Sequence, residues 1–139
     1  MKNSVVPSPE QIGALVERGP EGPIVMVNLL KYRALANYPD DKPESKEKIS
    51  GQDAYRRYGA VALKALGEAG GRIVWGGAQS LVFIGGPEQE WDEVICVRYP
   101  SRQAFLGMIS RPDYLAGTYH RDAGLERTGL LCCSAGTAA

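Results

Sequence analysis

Ile24-Val25-Met26-Val27-Asn28-Leu29-Leu30 is the stretch on which the fold turns. Six of its residues are apolar, three of them β-branched, and Gly22-Pro23 marks its start. A short apolar run bounded by turn residues reads as a strand buried on both faces. With side chains alternating at period two, Ile24, Met26, Asn28 and Leu30 share one face, and Val25, Val27 and Leu29 share the other. Helices can cover one face of such a strand. The other face needs a second layer, and a second copy of the same sheet is the natural one.

Upstream, Ser8-Pro9-Glu10-Gln11 has the form of a capping box with proline at the first helical position. It opens a short helix over 8–18, carrying Ile12, Leu15 and Val16 on one stripe and ending at Gly19-Pro20. Residues 1–7 read as a loose arm. Downstream, residues 33–49 form a charged loop of mixed sign, longer than the usual connection, of the kind that serves as a functional lid or stays mobile. Ser50-Gly51-Gln52-Asp53 starts a helix that runs to about Ala69. There Ala54, Tyr55, Tyr58, Ala62, Ala65 and Leu66 recur at three- and four-residue spacings.

Arg72–Trp75 reads as the second strand, interrupted at Gly76-Gly77 and resuming through Ser80-Leu81-Val82-Phe83-Ile84. Asp92–Tyr99 reads as the third strand. A helix with Ala104, Phe105, Met108 and Ile109 follows, then a helical segment from Pro112 to about Arg121, then a strand over Leu125–Cys133. The tail 134–139 is expected to fray. The order is one helix and then β-α-β-β-α-β, the ferredoxin-like split β-α-β pattern. It predicts a single α+β domain over 1–139 with both main helices on one face of a four-stranded antiparallel sheet.

Composition removes whole classes of function. The chain has 139 residues, with 16 Lys and Arg against 16 Asp and Glu, which argues against nucleic-acid binding through a basic face. No apolar run approaches the ~20 residues of a membrane span. The first residues carry no apolar secretory core, and three Cys form an odd, sparse set, so a cytoplasmic setting is expected. A single His excludes a multi-histidine metal site within one chain. The glycine pairs match no phosphate-binding signature, and no cofactor or metal is expected.

Eight residues stand out as site candidates. Asn28 interrupts an apolar strand, so its carboxamide must either bond to neighbouring backbone or line a pocket, where it could polarise a carbonyl. Tyr55 and Tyr58, three apart on the first core helix, can both face the sheet, filling the core or offering phenol donors to a substrate. His120 could act as a general base or a haem ligand, or simply complement a helix C-terminus. These four are the candidate catalytic groups. Tyr32, Trp75, Arg98 and Arg121 are the candidate substrate-binding groups. Tyr32 ends the first strand, Trp75 is expected in the core or at a cavity, and Arg98 faces the same side as Val94 and Cys96. Arg121 can grip a carboxylate bidentately or pair with a nearby acid. Cys96 reads as a core residue, and the adjacent Cys132-Cys133 pair has no nearby base in sequence.

Pro23–Tyr32, Ser50–Tyr55, Trp91-Asp92-Glu93-Val94, Tyr99-Pro100-Ser101 with Ala104-Phe105 and Met108, Pro112-Asp113-Tyr114 and Arg121 together resemble the family known as domain of unknown function 1330. The resemblance covers about residues 22–131. It implies membership of the dimeric α/β-barrel superfamily, hence a homodimer, and it adds weight to Asn28 and Arg121 as pocket residues. That superfamily includes cofactor-independent monooxygenases, lactone isomerases, haem-degrading enzymes and non-enzymatic binding domains. The N-terminal helix and the 33–49 loop depart from the family's minimal form. Three functions follow as expectations. One is a cofactor-independent small-molecule enzyme with a pocket between sheet and helices. Another is a non-catalytic ligand-binding or regulatory dimer. The third is haem binding through His120.

Overall fold

The computed structural model describes residues 4–138. Residues 1–3 of the expected arm and Ala139 of the expected tail lie outside the described residues. Ten regular elements follow one another: α1 (Pro9–Arg18), β1 (Ile24–Tyr32), a 3₁₀ turn (Pro43–Lys46), α2 (Gly51–Glu68), β2 (Arg72–Ala78), a second 3₁₀ turn (Pro87–Gln89), β3 (Glu93–Tyr99), α3 (Arg102–Ile109), α4 (Pro112–Gly124) and β4 (Leu125–Ser134).

Local chemistry starts the helices where expected. Ser8 caps α1 through the Gln11 N–H, and the Gln11 side chain returns the bond to the Ser8 N–H. Ser50 and Ser101 cap α2 and α3 by accepting from the N–H groups of Asp53 and Ala104. Pro112 takes the first position of α4, where its missing N–H costs nothing.

The sheet order is β2-β3-β1-β4, with antiparallel neighbours throughout. The apolar run lies in its interior, with β3 on one side and β4 on the other: Asn28 stands opposite Ile95 and Leu130. Ile24, Met26, Val97 and Tyr99 pack against Tyr58, Ala65 and Leu66 of α2, Phe105 and Met108 of α3 and Tyr114 of α4. Ile24 and Leu30 are fully buried. Helices therefore cover one sheet face. The other face presents Val27, Leu29, Val94, Cys96 and Leu131, and no described element forms a second layer over it.

The structure departs from the sequence expectation at three places. β2 runs through Gly76-Gly77 to Ala78, and Ser80–Ile84 forms no strand. Trp75, expected in the core or at a cavity, is 56% exposed. A bulge between Ile73 and Trp75 sets Trp75 opposite Cys96, on the face that the helices leave bare. Fraying begins later than expected, because Ser134 still pairs with Ile24 and the Ala135 N–H donates to the Pro23 carbonyl.

The 33–49 segment is pinned to the body rather than loose. Ala36 N–H bonds Ile49, Asn37 N–H bonds Ala123, and Tyr38 is buried with Ala54 and Ala123. At its root, Arg33, Gly51 and Gly124 meet backbone to backbone: Arg33 N–H donates to Gly124 and Gly51 N–H donates to Arg33. A Cβ on Gly51 would lie 2.3 Å from the Arg33 oxygen, and one on Gly124 would lie 2.4 Å from the Gly51 oxygen. Only glycine allows this approach, which sets the start of α2 against the end of α4.

Candidate functional site

That glycine contact places Tyr55, one turn into α2, close to Arg121, near the end of α4. Four tyrosine rings then run as a chain along the seam between sheet and helices. Tyr32 and Tyr55 have centroids 5.5 Å apart, Tyr55 and Tyr58 5.2 Å, and Tyr58 and Tyr114 5.9 Å. The tilted and edge-on geometries suit aromatic packing. The Tyr58 and Tyr114 hydroxyls bond each other at 2.7 Å inside the core, and Tyr32 donates to Glu93 Oε1 at 2.5 Å.

Among the described residues, the Tyr55 hydroxyl has no hydrogen-bond partner. Burial pushes its pKa up to about 12, an effect that the Arg121 charge partly offsets. Burial also raises Tyr32, reinforced by its bond to Glu93, and raises Tyr58, reinforced by Tyr114. At neutral pH all three phenols therefore remain protonated; Tyr32 donates to Glu93, and either hydroxyl of the Tyr58–Tyr114 pair can donate to the other. Arg121 donates to the Val5 carbonyl of the N-terminal arm and lies 3.7 Å from Asp122. Its side chain is mostly buried.

The structure divides the sequence candidates into groups. Tyr32, Tyr55, Tyr58 and Arg121 converge on the seam. Asn28 lies on the helix-facing side of β1, and its Nδ2 donates to the carbonyls of Ile95 at 3.1 Å and Met26 at 3.4 Å. No hydrogen bond joins it to Tyr55 or Tyr58. Arg98 and Trp75 belong to the bare sheet face, and Arg98 Nε is buried there without a partner among the described residues.

His120 sits apart, under the pinned 33–49 segment. Its Nδ1 lies 2.7 Å from the Tyr38 hydroxyl, and its ring lies 4.1 Å from that of Tyr119. Tyr119 in turn donates to Glu44 at 2.7 Å, and Lys42 stands 4.6 Å over the Tyr119 ring. Burial lowers the His120 pKa against the opposing pull of Glu44. The imidazole is thus neutral at pH 7, and Nδ1 can accept from Tyr38.

Sequence reasoning did not single out Glu93 or Tyr114 in the seam, nor Tyr38, Tyr119 and Glu44 around His120. For Glu93 the signal was its place in Trp91-Asp92-Glu93-Val94, where alternation puts it on the face of Ile95 and Val97. Tyr38 lies 82 residues from His120 in the chain, and no local pattern encodes that contact. The described residues hold no cluster of three or more His, Cys, Asp or Glu suited to a metal ion, and all three cysteines are free. No described helix is long and apolar enough to cross a membrane.

Sheet order, helix placement and the tyrosine seam define an α+β protein of ferredoxin-like fold. Residues 45–133 match the family described as Domain of unknown function (DUF1330), and the chain belongs to that family. It is similar to the crystal structure of RPA0582, a protein of unknown function from Rhodopseudomonas palustris, with 33% identity over 96% of this chain and 97% of that one and a TM-score of 0.86. The methylated form of RPA0582 aligns with 34% identity over 96% of each chain, also at a TM-score of 0.86. A dabb family protein with a ferredoxin-like fold from Mesorhizobium loti shares the fold alone, at 13% identity over 81% of this chain and 96% of that one, with a TM-score of 0.51. No curated protein matches the chain.

Proposed function

We propose that this protein is a two-fold symmetric dimer that handles a small, carboxylated or oxygen-rich metabolite in the tyrosine seam, without a bound cofactor. The observation that carries the reading is Tyr55: a half-buried phenol, protonated at neutral pH, whose hydroxyl has no protein partner among the described residues and lies under the field of Arg121. A neutral phenol beside a guanidinium is a donor set for a carboxylate or for an oxyanion that forms during reaction. Arg121 anchors the ligand, taking over the bond now made to the Val5 carbonyl. Tyr55 donates to the reacting oxygen. Glu93, bonded to Tyr32, supplies a carboxylate base at the mouth of the seam. Such a set suits proton abstraction next to a carbonyl, as in isomerisation or lactone chemistry. In this reading Asn28 positions strands rather than substrate, because its N–H groups already bond backbone.

The bare sheet face supports the dimer. Val27, Leu29, Val94, Cys96, Trp75 and Leu131 leave that face apolar, and a second sheet would bury it and bring Arg98 among partners.

A second reading is a non-catalytic ligand-binding dimer. It is favoured by the mutual saturation of the seam: Tyr58 bonds Tyr114, and Glu93 bonds Tyr32. One experiment separates the two. A thermal-shift screen of small keto acids, hydroxy acids and lactones should yield compounds that stabilise the wild type. Tyr55→Phe should keep the fold and weaken binding of a hit at least ~10-fold, the scale of one hydrogen bond in a buried site. Turnover of the hit followed by NMR marks an enzyme, and binding without turnover marks a binder. Hits that bind Tyr55→Phe and Arg121→Met as tightly as the wild type would refute the seam as the site.

A further inference from the structure

Residues 4–7 belong to a stretch that reads in sequence as a loose arm, yet the structure fastens them to the seam. The Val5 carbonyl accepts a hydrogen bond from Nη1 of Arg121, 116 residues further along the chain. Among the described residues, no other hydrogen bond joins residues 4–7 to the body. The remaining two are internal to the arm. The Ser4 hydroxyl donates to the Val6 carbonyl at 2.9 Å and accepts the Val6 N–H at 3.3 Å, which closes a short turn around Val5. Val5 is half-buried, whereas Ser4, Val6 and Pro7 are exposed. From Ser8 onward the chain is held separately, by the capping box of α1. The arm is therefore a strap with a single polar fastening.

That fastening engages the group assigned above to a ligand carboxylate. The Arg121 side chain is 14% exposed, so its charge is largely withdrawn from water. Asp122 lies 3.7 Å away, within ion-pair range but too far for a hydrogen bond. The guanidinium thus meets a neutral amide oxygen where a carboxylate oxygen would fit better. Charge-assisted bonds are shorter and roughly twice as strong as neutral ones, and the planar fork can take both oxygens of a carboxylate together. A neutral carbonyl ligand, by contrast, offers Arg121 no more than the Val5 carbonyl already supplies. We infer that residues 4–7 form a displaceable strap that occupies Arg121 until a carboxylate replaces it, so that the seam admits small carboxylates and turns away their neutral amides. The inference rests on the seam reading above and adds to it a gate and the ligand charge that opens it. A ligand that binds only the open form has its affinity reduced by the fraction of molecules that are open. Loosening the strap should then tighten carboxylate binding without any new contact.

NMR of the full chain, with benzoate and benzamide as probes, tests this. In the wild type the backbone of Val5 and Val6 should be ordered on the picosecond-to-nanosecond timescale by heteronuclear NOE, and Arg121→Met should set it free. Millimolar benzoate should release the strap in the wild type, and benzamide should leave it in place. Ser4→Gly combined with Val5→Gly and Val6→Gly removes the turn and the half-buried side chain but keeps the α1 cap. This variant should bind benzoate about 10-fold more tightly than the wild type, the factor that one hydrogen bond to a charged group contributes, and should show no gain with benzamide. An arm as mobile in the wild type as in Arg121→Met overturns the strap and spares the seam. So does benzoate that shifts the Tyr55 ring signals with equal affinity in the wild type and the glycine variant. Benzoate that leaves the Tyr55 and Arg121 signals unmoved even in the glycine variant, where the strap no longer competes, overturns the seam as a carboxylate site and the strap with it.

Discussion

Replacing Gly124 by alanine should destabilise this protein, whereas replacing Gly59 by alanine should stabilise it, although both glycines lie in helices. At Gly124 the added methyl would sit 2.4 Å from the Gly51 carbonyl oxygen and 3.1 Å from the Tyr55 N–H nitrogen, both backbone atoms. It falls about 1 Å short of ordinary van der Waals contact, and no side chain can swing aside to make room. Either α4 or the start of α2 must shift. Forced overpacking of this kind costs about 1–3 kcal/mol, and the helix preference of alanine returns less than ~1 kcal/mol. A net loss of about 1–2 kcal/mol lowers the Tm by about 3–10 °C in a chain of this size. At Gly59 an added Cβ meets nothing within 4 Å. Alanine there should add about 0.5–1 kcal/mol, or roughly 2–4 °C. Differential scanning calorimetry of the two variants against wild type measures both. Because the Gly51–Gly124 contact sets Tyr55 against Arg121, Gly124→Ala should also weaken binding of any seam ligand, and Gly59→Ala should not. A Gly124→Ala protein as stable as wild type, or a Gly59→Ala protein destabilised to the same degree, would refute the reasoning.

Two further predictions concern the tyrosines and the histidine. Tyr58→Phe and Tyr114→Phe should each cost about 1–2 kcal/mol in urea unfolding, because each leaves one hydroxyl of the buried 2.7 Å pair without its partner. The double variant should cost less than the two singles together, a coupling of about 1 kcal/mol; strict additivity would mean that the pair does not form. His120, lowered by burial, takes up a proton at higher pH when unfolded than when folded. Its contribution is therefore complete above the ordinary histidine value of about 6.5 and is lost as the pH falls toward the folded pKa. Urea midpoints of the wild type should drop as the pH falls below the ordinary histidine value of about 6.5, while His120→Gln flattens that step. Both proteins should then lose stability further into acid. There the carboxylates of Glu44, Glu47 and Asp113, held low by Tyr119, Arg57 and Arg111, become protonated. An unchanged upper step in His120→Gln would assign it to another group.

The sequence by itself determined the order of elements and which residues of β1 share a face. Both follow from short-range physics. Period-two alternation puts Ile24, Met26 and Leu30 on one face, and Ser8, Ser50 and Ser101 satisfy the first N–H groups of their helices from one to three residues away. The seam was half legible. Tyr55 and Tyr58 announce themselves by their helical spacing, and Tyr32 by its place at the end of a strand, but Tyr114 and Glu93 reach the same seam only through packing. Three things were decided by tertiary structure alone. The Gly51–Gly124 approach lets α2 and α4 meet, and no single helix carries that information. The folding of the 33–49 segment onto α4 brings Tyr38 to His120 across a long stretch of chain and surrounds the imidazole outside the seam. The third is the fate of Ser80–Ile84: side-chain preference marks these residues for a strand, but a strand exists only where backbone groups pair, and the turn after β2 carries this segment away from both outer strands of the sheet.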